Sequence, residues 1–129
     1  MIYYFDTSAV VKLVVAEDRS DETYRLWQQP GSTGVSSALL KAELLRAARD
    51  QDAEIKQRAR QVLSTFNLMT VSDSVLELAA TLDPSVLRTL DAIHVATALS
   101  AGDELSGVVT FDVRMAQAAA NQGLRVLPA

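Results

Sequence analysis

Cysteine is absent from the 129 residues, which removes disulfides, thiolate metal sites and cysteine nucleophiles together and suits a reducing cytoplasm. Histidine occurs once, as His94, so general acid and base catalysis by a histidine pair is excluded. Any hydrolysis then rests on carboxylates or metal. No stretch is apolar for long enough to span a membrane. Asp6 and Lys12 interrupt what a secretion signal would need as its apolar core, so the amino terminus does not read as one. An excess of positive charge is also lacking: 16 acidic and 12 basic side chains leave a formal charge of −4, which at first sight argues against a polyanionic partner. The sum misleads if four of those acids are gathered in one site and neutralised there, because 12 acids then balance the 12 basic residues.

What is present is ordinary for a soluble globular chain, 49% hydrophobic and 22% charged, and the length predicts one domain over residues 1–129 with a single core. The opening MIYYFDTSAVVKL reads as a buried strand, Ile2 to Phe5, that runs at once into a helix carrying Ala9, Val10, Leu13 and Val14. A second helix spans Ser20 to Gln29, with Tyr24 and Trp27 on one face. Pro30, Gly31 and Gly34 end it. Ser32 to Ser36 reads as a strand, and Ser36 or Ser37 as the cap of a helix over Ala38 to Asp50, with Leu40, Leu44 and Ala47 inward. Asp52 to Phe66 is a fourth helix, with Arg58 among its outward residues, Leu68 to Val71 a third strand, and Ser72 or Asp73 caps a fifth helix. Leu90 to Ser100 is a strongly apolar helix that Thr89 can cap. Gly107 to Thr110 forms a strand, Val113 to Asn121 a helix, and Leu124 to Leu127 a last short strand. Alternation at this spacing predicts an α/β fold: a central parallel sheet of about five short strands, flanked by helices on both faces.

Four acids stand out against that layout. Asp6 ends the first strand, and taken alone it reads as a helix cap; but the carboxyl edge of an open α/β sheet is also where ligands bind. Asp112 repeats the pattern after the fourth strand. Glu43 falls inside an apolar helical stripe, either paired with Arg46 at the surface or aimed beside the core. Asp91 opens the apolar helix, within a first turn that can start near the same edge. His94, three residues on, reads as a hydrogen-bonded core residue rather than a ligand. Trp27, the only tryptophan, reads as a core anchor.

Crowded carboxylates repel one another, and a divalent cation is the simplest resolution. With no cysteine and no second histidine the ligand set is all oxygen, which favours magnesium, or manganese in its place. Such a site suits metal-dependent phosphodiester hydrolysis. Half of the basic residues lie between Lys41 and Arg60, either as a solvated face or as a surface for a phosphate backbone.

The segments FDTSAVVKL, AELLRA around Glu43, LDAIHVATA around Asp91 and TFDVRMAQAA around Asp112 resemble the four signature blocks of PIN-domain nucleases, in the right order and over nearly the whole chain. Within that family they are most similar to the VapC toxins of VapBC toxin–antitoxin pairs. The resemblance implies a cytoplasmic endoribonuclease in which Asp6 and Asp91 bind the metal directly, with Glu43 and Asp112 completing the site or holding a second ion. Thr7, Ser8 and Thr110 become candidates for orienting water or phosphate. Arg114 either touches the RNA backbone or is an exposed helix residue. The resemblance further implies a homodimer and a cognate VapB antitoxin, with Leu13, Val14, Tyr24 and Trp27 as candidate contacts. The alternatives are a PIN-fold binding module without activity, and a carboxylate-metal phosphatase or phosphotransferase. A haloacid-dehalogenase type would want an aspartate where Ser8 stands. A receiver domain would want adjoining acids after the first strand and a lysine after the last, and this chain has neither.

Overall fold

The computed structural model describes residues 1–128. Strand β1 (Ile2–Phe5) leads into helix α1 (Thr7–Val14), followed by α2 (Ser20–Trp27), β2 (Thr33–Ser37), α3 (Leu39–Ala48), α4 (Ala53–Ser64) and β3 (Asn67–Met69). Then come α5 (Asp73–Thr81), α6 (Thr89–Ser100), a short 3₁₀ turn, β4 (Leu105–Val109), α7 (Val113–Asn121) and β5 (Val126–Leu127). The strands form one parallel sheet in the order β3-β2-β1-β4-β5.

β1 lies at the centre, and the alternation of its side chains assigns the two layers. Tyr3 and Phe5 join Val10, Leu13, Leu40, Leu44, Ala59, Val62 and Phe66 on the side covered by α1, α3 and α4. Tyr4 points the other way, into Val75, Val95, Ala96, Val108 and Met115 beneath α5, α6 and α7. Helix α6 is apolar all round because it is buried on nearly every side: Ala92 through Ala98 are inaccessible without a break.

Several boundaries and orientations differ from the sequence reading. β2 runs one residue later, to Ser37, and β3 covers Asn67–Met69 rather than residues 68–71, since pairing with β2 and not residue type decides where a strand ends. Ala47 is exposed and Ala48 takes the buried position in α3. Ser72 does cap α5 through Val75 N, and the Ser37 hydroxyl accepts from Leu39 N, but Thr89 caps nothing: it is the first residue of α6, whose flanking residue is Arg88. Arg58 turns inward. Its Nε donates to the Leu13 carbonyl at 2.8 Å and its guanidinium covers the Tyr24 ring, whose Oη donates to the same carbonyl at 3.2 Å, so α4 and α2 together satisfy an oxygen at the end of α1. Leu13 and Val14 are only 1% and 4% exposed, which withdraws them as contacts for a partner. Tyr24 and Trp27 are half-buried, edge to face, against the same core. No helix is long and apolar enough to cross a membrane, among the described residues.

Candidate active site

The chain goes from β1 outward to β2 and β3, then returns to place β4 on the other side of β1. Neighbouring strands whose connections leave in opposite directions open a crevice beyond their carboxyl ends, and Asp6 and Asp112 follow the two strands that border it.

Asp6 is 3% exposed. Its Oδ1 accepts from Ala9 N at 3.0 Å, which caps α1, and from Ser8 Oγ at 2.7 Å; its Oδ2 accepts from Thr110 Oγ1 at 2.5 Å. Burial nevertheless pushes its pKa above the ordinary aspartate value, and these three donors and the nearby His94 only offset the rise. Thr110 in turn accepts from Asp112 N at 3.1 Å, and Ser8 Oγ accepts from Phe111 N at 3.0 Å. The ends of β1 and β4 are thereby clasped by two hydroxyls. Lys12 and Arg19 lie over the Phe111 ring at 4.8 and 4.9 Å and hold the same segment from outside.

Asp112 caps α7, its Oδ1 accepting from Arg114 N at 2.9 Å and Met115 N at 3.1 Å. Its other oxygen accepts from Arg88 at 3.2 Å, and the Nε of the same guanidinium donates to Asp91 Oδ2 at 3.1 Å. Asp91 lies in the first turn of α6, as the sequence placed it, whereas Glu43, expected in a first turn as well, lies in the second turn of α3. Nor does Glu43 pair with Arg46. Its Oε1 accepts from His94 Nε2 at 2.7 Å and from Thr7 Oγ1 at 2.8 Å. Burial raises the Glu43 pKa, but the His94 and Thr7 hydrogen bonds outweigh it and hold the carboxyl below the usual glutamate range. His94, buried as expected, has its Nδ1 2.6 Å from Tyr4 Oη. Burial, and then the Asp6 charge, keep that phenol protonated far above its ordinary pKa. Tyr4 therefore donates to Nδ1, and the tautomer with its proton on Nε2 donates to Glu43.

Three of the four acids thus belong to one polar network: Asp6 reaches Asp112 through Thr110, and Asp112 reaches Asp91 through Arg88. Glu43 belongs to a second, with Thr7, His94 and Tyr4, which adjoins the first only along the chain, at Thr7 beside Asp6 and at His94 one turn beyond Asp91. No three of the acidic and histidine side chains draw close enough to form a metal-binding group, among the described residues. The cation between Asp91 and Asp112 is an arginine instead. Arg88 went unread in the sequence, although its spacing of three from Asp91 is visible there; its second partner, 24 residues away, is not.

The PIN domain family model matches residues 3–121. This chain belongs to the PIN-domain family. It is 43% identical to Ribonuclease VapC46 of Mycobacterium tuberculosis over 96% of this chain and 95% of that one. Among solved structures, a toxin–antitoxin complex from Klebsiella pneumoniae is 25% identical, covering 87% of this PIN domain and 88% of that chain, with a TM-score of 0.67. VapC20 of M. tuberculosis, described as a sarcin-ricin-loop cleaving toxin, shares the fold at a TM-score of 0.71 and 18% identity over 95% of both chains. PIN-domain VapC ribonucleases depend in general on divalent metal, and the residues of this PIN domain suit such an ion in kind. The donors are carboxylate and hydroxyl oxygens, and the one imidazole is held between Tyr4 and Glu43. Asp91 and Asp112 already share a cation, and the buried Asp6 charge lacks one of its own.

Proposed function

We propose that this PIN domain is an endoribonuclease, hydrolysing RNA phosphodiester bonds as the toxin of a type II toxin–antitoxin pair. One observation carries the reading. Asp6 and Asp112, at the ends of the two strands that border the crevice, are joined through Thr110, Arg88 ties Asp112 to Asp91, and Glu43 is held by Thr7, the residue after Asp6. Similarity to Ribonuclease VapC46 supports RNA as the substrate; similarity to a toxin–antitoxin complex supports an antitoxin as partner, and the likeness to VapC makes it one of the VapB type.

In this reading Asp6 and Asp91 hold magnesium, or manganese in its place, and Glu43 and Asp112 complete the site. When bound, the ion would supply a nucleophile from water at neutral pH and offset charge on the leaving 3′-oxygen. Asp6 is oriented by Ser8, Thr110 and Ala9 N, so its geometry is set before substrate arrives. His94 and Thr7 both bind Oε1 of Glu43, which fixes the side chain and leaves Oε2 to receive a proton or a further donor. Thr7, Ser8 and Thr110 act by holding carboxylates. Exposed Lys41, Arg46, Arg49, Lys56 and Arg60 offer a phosphate backbone a basic face on α3 and α4. Arg114, at the start of α7, is exposed beside the acids and extends that role.

Cleavage of total RNA by purified, partner-free protein tests the proposal, with magnesium, with manganese and with chelator, beside Asp6→Asn. Metal-dependent cuts bearing 5′-phosphates and missing in Asp6→Asn are expected. Intact RNA after incubation with folded wild-type protein and metal would leave a PIN fold used for binding alone.

A further inference from the structure

Resting on the metal-site reading above, we propose that Arg88 is the resident counter-ion of the acidic site: it holds Asp91 and Asp112 while no divalent cation is bound, and gives way when one enters. One guanidinium spans two separate elements, with Nε 3.1 Å from Asp91 Oδ2 on α6 and its terminal nitrogen 3.2 Å from Asp112 Oδ2 at the start of α7. Asp112 commits Oδ1 to capping α7. Its Oδ2 is therefore the oxygen an incoming cation would use, and it is the one Arg88 occupies. The arrangement also answers a physical need. Asp91 and Asp112 are drawn to a common partner, and without a cation between them their repulsion would push α6 and α7 apart.

The hold is built to be released. The Arg88 side chain is 67% exposed, against 14% for Asp91 and 23% for Asp112, so water solvates the guanidinium from outside and screens both pairs, and the long side chain loses freedom in holding them. Arg88 precedes α6 with an extended backbone and contributes no side-chain cap, so the helix does not depend on where its guanidinium lies. The segment before it, from Asp83 to Leu87, has hollows of about 520 and 440 Å³ against it, one toward Ala79 and Ile93 and one toward Gln117 and Asn121. An arginine on such a segment can swing away without disturbing the core.

The test is Mn²⁺ titration of the full chain, freed of partner and metal, read by calorimetry and by melting temperature. Wild type is compared with Arg88→Gln, Arg88→Lys, Arg114→Gln and Asp91→Asn. Loss of a competing cation is expected to tighten Mn²⁺ binding by about three- to tenfold in Arg88→Gln, the size of two ion pairs whose guanidinium faces solvent. Arg88→Lys should fall between it and wild type. Arg114→Gln removes a neighbouring exposed charge that forms no ion pair with the acids, and should bind within about twofold of wild type. In chelator Arg88→Gln should melt lower than wild type. Unchanged or weaker Mn²⁺ binding in Arg88→Gln overturns the proposal, and so does equal tightening in Arg114→Gln. Binding by wild type that Asp91→Asn abolishes would keep the metal site intact through either result. No binding by any variant at millimolar Mn²⁺ would overturn the metal site and this inference together.

Discussion

Asp6 divides its oxygens between two tasks, one capping α1 and contacting Ser8, the other meeting Thr110 across the sheet. Because burial raises its pKa in the fold above the unfolded value of 3.8, the native chain holds more protons than the unfolded one above that pH. The contribution of Asp6 to the stability of the metal-free protein is then greatest below the unfolded value and falls as pH rises through the native one. Asp6→Asn keeps an acceptor for Ala9 N but not the buried charge. It should melt a few degrees above wild type at neutral pH in chelator, with the gap closing toward pH 4, while RNA cleavage drops about 100-fold or more. His94→Ala tests the separate network around Glu43. It leaves the Tyr4 hydroxyl buried without its partner and frees Glu43, at a cost of about 2–4 kcal/mol in urea unfolding. The apolar surroundings of His94 announced its burial in the sequence, yet its partners Tyr4 and Glu43 are 90 and 51 residues away. Spacing could not have named them. Asp6 was legible as a cap for the opposite reason, since that contact is local.

Helix α7 makes the separation of cap from site measurable. Serine can replace the capping oxygen of Asp112 but not its charge, so Asp112→Ser should unfold within a few tenths of a kcal/mol of wild type, and Asp112→Ala about 1 kcal/mol below it. Both should lose cleavage alike. On β2, a Cβ at Gly34 would meet the Phe66 ring at 2.8 Å, and that ring is itself wedged edge-on against Phe5. Gly34→Ala should cost about 1–3 kcal/mol in urea unfolding and leave cleavage per folded molecule unchanged. Helices were easier to read than strands here because their pattern extends over two turns or more, 8 residues in α1 and 12 in α4. β3 and β5 have three and two residues, so their limits depend on pairing that no local pattern carries. Arg58 was misread for a related reason: on α4 its position looked outward, but a carbonyl and an aromatic ring on α1 and α2 drew it in.

The alternation of strands and helices was enough to predict the parallel sheet and both covered faces, since each element must bury its apolar side against another layer. The links among Asp6, Asp112 and Asp91 were not, because they are made by the Thr110 hydroxyl and by Arg88, side chains that no layout of elements names. Binding of a cation to the folded state alone adds stability that grows with the logarithm of its concentration. Melting temperature should therefore climb with added Mg²⁺ or Mn²⁺ in wild type and stay flat in Asp91→Asn, read by calorimetry. The clasp of Asp6 by Thr110 has one further bearing. Its halves are 104 residues apart, so on the ribosome the first is made long before the second and has no partner throughout the interval. In the proposed nuclease, a chain still being translated therefore has an unclasped Asp6 and does not cut RNA until Thr110 has been added.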